Sequence, residues 1–142
     1  MRTFRPDPAS DPARLLRVAL RVDALASAAS AVLALAGGPL VGDLFGTPLT
    51  LLWPIGVVLI AWAAALWLVA SRPMVNQPAV WLIIVLNVLW VASSIALVAA
   101  GWFGLTLLGT AFVLVQAAAV ALFADLEFVG LRKERVARTV AV

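Results

Sequence analysis

Four long apolar runs, separated by short breaks, constrain this chain more than any motif in it. They cover residues 15–36, 49–70, 79–100 and 105–128. About 20 helical residues, at a rise of about 1.5 Å each, cross the roughly 30 Å hydrocarbon core of a bilayer. The runs are continuous and do not alternate with polar residues, which favours helices over barrel strands. The sequence therefore predicts an all-α polytopic membrane protein, a bundle of four transmembrane helices.

The breaks between the runs contain glycine and proline, which stop helices. They read GGPLVGDLFGTP at 37–48, SRPMVNQP at 71–78 and AGWFG at 100–104. The chain is 65% hydrophobic, with a mean hydropathy of +1.12, against about half apolar residues in soluble domains. We expect a single integral membrane domain over residues 1–142, with short cytoplasmic tails at 1–13 and 131–142.

The basic residues are confined to one side of the predicted bundle. All ten lie before or within the first turns of the first helix, in the middle loop, or after the fourth helix: Arg2, Arg5, Arg14, Arg17, Arg21, Arg72, Arg132, Lys133, Arg135 and Arg138. Cytoplasmic loops are enriched in Lys and Arg, so this distribution predicts an N-in, C-in topology with loops 37–48 and 100–104 outside.

We interpret the basic and aromatic residues near the ends of the helices as contacts to lipid. The net charge is only +3, so the Arg residues fit anionic head groups better than nucleic acid. Aromatic rings concentrate at both membrane interfaces. The predicted lipid-interface anchors are Arg14, Arg17, Arg21, Trp53 and Trp102.

The first helix also resembles a secretory signal, because Arg residues precede an apolar run that ends in ALA at 34–36. Cleavage there would leave three spans with the C-terminus still inside, so charge alone leaves this alternative open. The run is longer than a typical signal core and contains Asp23. We therefore expect the first helix to be retained.

Missing residue types narrow the chemistry. The chain has no Cys, His or Tyr, so it supplies no thiol, no His ligand for haem or zinc and no His general base. GGPLVG at 37–42 lacks the setting of a nucleotide loop and predicts a plain turn. Asp125 and Glu127 lie near a cluster of basic residues, and we expect them to be solvated at the interface. The sequence predicts no catalytic residue, no metal site and no cofactor.

Asp23 lies in an otherwise apolar stretch. At roughly 100° per residue, it shares one side of the first helix with Ser27 and Ser30, opposite the three Arg residues of that helix. The Arg side chains can extend to head groups, whereas the Asp and Ser side must face the interior of the bundle.

Counting residues from the predicted cytoplasmic boundary gives Asp23 two partners. If the fourth helix leaves the membrane near Ala124, then Asp23, Asn87 and Gln116 all lie about 12 Å above that boundary. The second helix has nothing polar at that level and would seal the bundle against lipid. The predicted polar layer or ligand site consists of Asp23, Ser27, Asn87, Ser94 and Gln116.

Three segments resemble small four-helix inner-membrane proteins of bacteria to which no activity is attached. They are LLRVALRVDALAS at 15–27, LNVLW at 86–90 and LGTAFVLVQAAAVALFADLEFVGLRK at 108–133. The chain is also similar in layout to DoxX-like four-helix proteins. LNVLW is similar to a Trp-rich helix of the translocator family, which has five spans and Trp and Tyr motifs that are missing here. The resemblance implies a location in the bacterial inner membrane and carries over no functional residue.

Two functions remain open from the sequence. The bundle binds a hydrophobic or amphipathic small molecule or lipid, with the Asp23 layer as the polar end of the site. Alternatively, it is a structural or accessory subunit that contacts copies of itself or another membrane protein. A small multidrug-type exporter has the same helix count and an acidic residue in its first helix, but its charge bias is usually weak. In each case we expect membrane lipids as partners and no nucleic acid.

Overall fold

The computed structural model of the protein describes residues 11–141, and in this part of the chain it consists of helices without strands. Four of the helices are long and apolar enough to cross a membrane, which confirms the predicted all-α bundle of four spans. The fifth is short and follows the first. The helices are α1 (Arg14–Ala36), α2 (Gly38–Phe45), α3 (Leu49–Ser71), α4 (Gln77–Ala99) and α5 (Leu107–Val140).

The helices do not pack in a closed ring. Helix α1 packs along α3 on one side and against α5 on the other, and α4 packs on α5. Helices α3 and α4 touch little, although only a short loop joins them. The packing order α3, α1, α5, α4 therefore leaves one side of the bundle open, between α3 and α4.

The main hydrophobic core lies at the end of the bundle that we call the basic end, where α1 begins and α5 extends past the other helices. Leu16 and Leu20 of α1 meet Leu66 of α3, Val80 of α4 and Leu131 of α5 there, each at most 1% exposed. A smaller core closes the opposite end, with Ala34, Val41 and Leu52 as its members.

Helix α5 extends well past the last apolar run, to Val140, and two contacts keep its extension on the bundle. At Gly130, an added Cβ would lie 2.8 Å from the backbone N and Cα of Leu16, so α1 and α5 are in backbone contact there. Gln77 Nε2 donates a hydrogen bond to Glu134 Oε2 at 3.3 Å. The prediction of a helix end at 128 and a short tail over 131–142 was therefore wrong, because the polar residues after 130 are good helix formers.

The first break, residues 37–48, contains helix α2 instead of the plain turn that we expected. Helix α2 ends at Phe45, and the next residue, Gly46, has a φ of 67°, which suits glycine. Phe45 at its end stacks on Phe112 of α5 with ring centroids 4.8 Å apart, and the Phe45 carbonyl accepts a hydrogen bond from Thr106 N. A helix forms here because α2 gains apolar contacts with α5, which the glycine and proline pattern does not reveal.

The predicted lipid-interface anchors differ in what they contact. Trp53 and Trp102 are more than half exposed, and Arg14 and Arg21 are exposed on the surface of α1. Arg17, in contrast, donates hydrogen bonds to the carbonyls of Ala70, Arg72 and Pro73 at the end of α3. Its guanidinium therefore caps α3 as a protein contact, a role that we did not predict. Arg2 and Arg5 lie outside the described residues.

Candidate functional site

Asp23 and Asn87 meet inside the bundle, as the sequence predicted. Asn87 Nδ2 donates a hydrogen bond to Asp23 Oδ2 at 3.0 Å, across the space between α4 and α1. Ser27, one turn after Asp23, donates from Oγ to Asp23 Oδ1 at 3.3 Å. Asp23 and Asn87 are 1% and 3% exposed. Both oxygens of the Asp23 carboxyl group are therefore hydrogen-bonded in the interior.

The third polar side chain of the site is Glu127 of α5. The Asn87 amide donates its second hydrogen bond to Glu127 Oε2 at 3.2 Å. Glu127 is fully buried, and its carboxyl group and that of Asp23 each have an oxygen within 3.2 Å of the same amide nitrogen. We call Asp23, Asn87 and Glu127 the acidic triad. It joins α1, α4 and α5 through one amide group.

The acidic triad contains more acceptors than donors. A primary amide has two N–H groups, and Asn87 gives one to each carboxyl group. Glu127 Oε1 is buried and accepts no hydrogen bond from any residue in the described part of the chain. A buried polar atom without a protein partner is unusual.

The basic residues nearest in sequence to Asp23 are engaged elsewhere. Arg17 binds the end of α3, and its side chain also approaches Asp11 at 3.9 Å. The guanidinium of Arg21 lies 5.8 Å from the centroid of the Trp67 ring. The expectation that these residues face away from Asp23 is confirmed. Among residues 11–141, neither carboxyl group of the acidic triad forms a salt bridge.

A cavity of about 340 Å³ opens beside the acidic triad, and we call it the carboxyl cavity. Asp23 and Asn87 form its deep wall, together with Ser27. Val58 of α3 and Leu89 of α4 line its mouth and are 58% and 54% exposed. The mouth therefore lies between α3 and α4, on the side that the packing order leaves open.

A second cavity, of about 220 Å³, adjoins the first towards α2, and we call it the apolar cavity. Leu59, Trp90, Ser93 and Gln116 line both cavities, so the two meet at these side chains. Most of the remaining wall is aliphatic or aromatic and includes Phe112. Together the cavities form a site with carboxyl and amide groups at one end and apolar side chains along the rest.

No family model, curated protein or solved structure matches this chain. The resemblance to DoxX-like proteins stays a prediction. Among the described residues, no group of three His, Cys, Asp or Glu side chains lies close enough together to hold a metal ion.

Gln116 is not where we predicted it. It lines the cavities but forms no hydrogen bond with Asp23, Asn87 or any other described residue. The depth argument placed the end of the fourth helix near Ala124, whereas α5 runs to Val140. Glu127 consequently lies level with Asn87, and Gln116 lies three turns before Glu127 on α5, about 16 Å from it along the helix. The expectation that Glu127 is solvated at the interface was wrong for the same reason.

Ser94, the last predicted site residue, donates its hydroxyl hydrogen bond to the Trp90 carbonyl of its own helix and lines the apolar cavity. Asp125 is exposed, as expected.

Helical spacing in the sequence indicates that Glu127 is buried. The buried positions Ala124, Glu127, Leu131 and Glu134 recur every three or four residues. An apolar Leu at this spacing among charged residues indicates that the buried face of α5 continues past 128.

Proposed function

We propose that this protein is a multi-pass membrane protein that binds an amphipathic small molecule or lipid inside its bundle. The observation that carries the proposal is the carboxyl cavity, which places Asp23 and Asn87 at the end of a space that opens between two apolar helices. A molecule dissolved in the bilayer reaches such a mouth sideways, without leaving the membrane. Its polar end meets hydrogen-bonding groups, and its hydrocarbon part lies along the apolar cavity.

The size and lining of the cavities support this type of ligand. Their volumes of about 340 and 220 Å³ together lie within the usual range of about 300–1,000 Å³ for small-molecule sites. Trp62 and Trp90 lie in the wall of the carboxyl cavity, where indole rings give flat apolar contact area. Apolar walls with a few convergent polar groups are typical of binding sites.

We further propose that the protein lies in the inner membrane of a bacterium, with both termini in the cytoplasm. The support for this orientation is the basic end of the bundle, where the Arg and Lys residues of α1, the α3–α4 loop and α5 collect. The mouth of the carboxyl cavity then opens to the lipid, nearer the cytoplasmic side than the apolar cavity.

Photolabelling tests the binding site. The protein, in lipid nanodiscs, is exposed to an alkyl alcohol and an alkyl amine of equal length that each carry a diazirine. Labelled residues are mapped by mass spectrometry. We expect saturable labelling of residues that line the cavities on α3 and α4. Labelling spread evenly over the lipid-facing residues with both probes would overturn the proposal.

A matched pair of variants sharpens this test. Ser93 lines both cavities, and Ser93→Phe places a ring where they meet. Ala92 is its exposed neighbour on α4 and does not line either cavity, so Ala92→Phe adds the same ring outside the site. We expect Ser93→Phe to abolish the saturable labelling and Ala92→Phe to preserve it. Equal labelling of the two variants would favour the accessory-subunit alternative, in which the helix surfaces contact another chain.

A further inference from the structure

We propose that the ligand is an amphipathic cation, such as a protonated alkyl amine, and that its charged group replaces a proton shared by Asp23 and Glu127. This inference rests on the proposed function, since it concerns the same cavity. It goes beyond that function because it states the charge of the ligand and what leaves when the ligand binds.

The acidic triad has two carboxyl groups and no basic group. Asp23 and Glu127 are both fully buried, and both hydrogen-bond to the Asn87 amide, which is neutral. Two negative charges side by side in the interior would lack the opposite charge that buried ions require. A proton on one of the two carboxyl groups removes one of these charges and supplies an O–H donor, which ionised carboxylates lack. With no ligand bound, the triad holds that proton.

The charged side chains on the helices around the triad do not neutralise it. On α1, Arg17 and Arg21 contact the end of α3 and the Trp67 ring, respectively. Helices α3 and α4 carry no charged side chain within their spans. On α5, Asp125 is exposed, and Glu134 is paired with Arg138 two turns beyond Glu127. The charge-neutralising partner that the triad lacks must therefore come from outside the bundle, as a proton or as a cation.

A cation can reach the triad through the carboxyl cavity. Asp23 lies in the wall of the carboxyl cavity, so one acidic side chain of the triad is within reach of a ligand. Trp62 and Trp90 line the same cavity, and indole faces attract cations. Glu127 does not line this cavity, so the ammonium group meets the triad at the Asp23 carboxylate. An alcohol of the same shape offers one hydrogen bond and no charge.

The exchange is balanced in charge and in protons. Before binding, the two carboxyl groups share one proton. An alkyl ammonium ion enters from the lipid, its N–H groups bond to the Asp23 carboxylate, and the proton shared with Glu127 is released to water. The charge of the triad and its occupant stays the same. Cation binding must then tighten as the pH rises, by up to about tenfold per pH unit while the triad remains protonated.

The experiment measures the binding of n-decylamine and n-decanol to the full-length protein in nanodiscs of zwitterionic lipid, over a range of pH. Each is measured in competition with the diazirine alcohol. For the unmodified protein we expect decylamine to bind at least about tenfold more tightly than decanol, as for contacts between desolvated charges. We also expect release of one proton per bound amine and none per bound alcohol, measured with an indicator dye in weak buffer.

Variants assign the effect to the triad. Asp23→Asn and Glu127→Gln keep the shape and most hydrogen bonds but remove a carboxyl group. Asp23→Asn should abolish the preference for the amine and the proton release, and Glu127→Gln should reduce both. Asp125→Asn removes an exposed carboxyl group from the same turn of α5 as Glu127 and should change neither. The measurements on the unmodified protein decide the matter even if a triad variant does not fold.

The outcomes separate the two proposals. Competition by both compounds with equal affinity and no proton release would overturn the inference while leaving the cavity as a binding site. Absence of competition by either compound, with labelling that does not saturate, would overturn the proposed function itself. A preference for the amine that Asp125→Asn removes and Asp23→Asn retains would place the cation at the surface and contradict the inference.

Discussion

At the scale of single residues, Asn87 is the link on which the buried polar site depends. Its amide presents two N–H donors at a fixed angle and gives one to each of two carboxyl groups on different helices. A serine offers a single donor, and an aliphatic residue offers none. Replacement of Asn87 therefore leaves Asp23 and Glu127 buried beside each other with fewer hydrogen bonds.

We expect Asn87→Leu to lower the free energy of unfolding by about 1–3 kcal/mol, the usual cost of leaving buried polar groups without partners. Gln116→Leu is the matched control, because Gln116 is a half-buried amide in the wall of the same cavity that forms no hydrogen bond with the described residues. It should change stability little. Thermal unfolding in mild detergent, followed by circular dichroism, measures both. Equal effects of the two variants would show that the hydrogen bonds of Asn87 contribute nothing particular.

At the scale of helices, the packing of α1 determines how the other spans are arranged. Arg17 contacts α3 through three backbone carbonyls, and Leu16 contacts α5 at Gly130. These two contacts, on successive residues near the start of α1, hold α3 and α5 on either side of it. They set the level at which Asp23 and Glu127 both reach Asn87.

Loss of the Arg17 contact should loosen α3. We expect Arg17→Gln to lower the unfolding temperature, because carbonyls at the end of α3 lose a charged donor. Arg14→Gln removes an Arg one turn earlier, at an exposed position, and serves as the control. Cysteine cross-linking between α1 and α3, in a chain that has no cysteine of its own, gives a second readout. If Arg14→Gln proves as harmful as Arg17→Gln, the effect comes from general surface charge.

The backbone contact at Gly130 should tolerate no side chain. An added Cβ would lie 2.8 Å from Leu16 backbone atoms, so Gly130→Ala forces α1 and α5 apart, at a cost of about 1–3 kcal/mol in stability. Alanine is otherwise the better helix former, so a loss of stability would come from the contact with α1 and not from helix propensity. Val129→Ala at the exposed neighbouring position is the control. An increase in stability for Gly130→Ala would mean that the two helices are not in contact there.

The helices could be predicted from the sequence more fully than the site. Hydropathy and the glycine and proline breaks place α1, α3 and α4 to within about two residues at each end, the usual precision of such boundaries. The end of α5 could not be predicted from hydropathy, because residues after 130 are polar and the helix persists through its contacts with α1 and α4. Helix α2 was missed because its glycines and proline are typical of a turn.

How well the site could be predicted depends on these same helix boundaries. Asp23 and Asn87 could be paired because both helices begin near the basic end, and counting residues from there gives the correct level. Glu127 could not be placed, because its level depends on how far α5 extends and therefore on tertiary contacts at Gly130 and Glu134. An error of three turns in that register replaced Glu127 with Gln116.

At the scale of the whole molecule, charge and shape are both asymmetric. The basic end carries the extension of α5 and the loop after α3, and the opposite end is closed by α2 and the turn at Trp102–Gly104. The side of the bundle between α3 and α4 is open. Reporter fusions test the orientation: sites near residues 5, 75 and 138 should be cytoplasmic, and sites near 43 and 102 external. An externally accessible C-terminus would contradict it.

The measurement that tests the central claim most directly is native mass spectrometry of the protein released from mild detergent or nanodiscs. It reports copy number and retained small molecules together. We predict one amphipathic molecule per chain in the unmodified protein and in Ala92→Phe, and none in Ser93→Phe. A chain without any bound molecule, or equal retention by both phenylalanine variants, would contradict the claim that the cavities between α3 and α4 form a binding site.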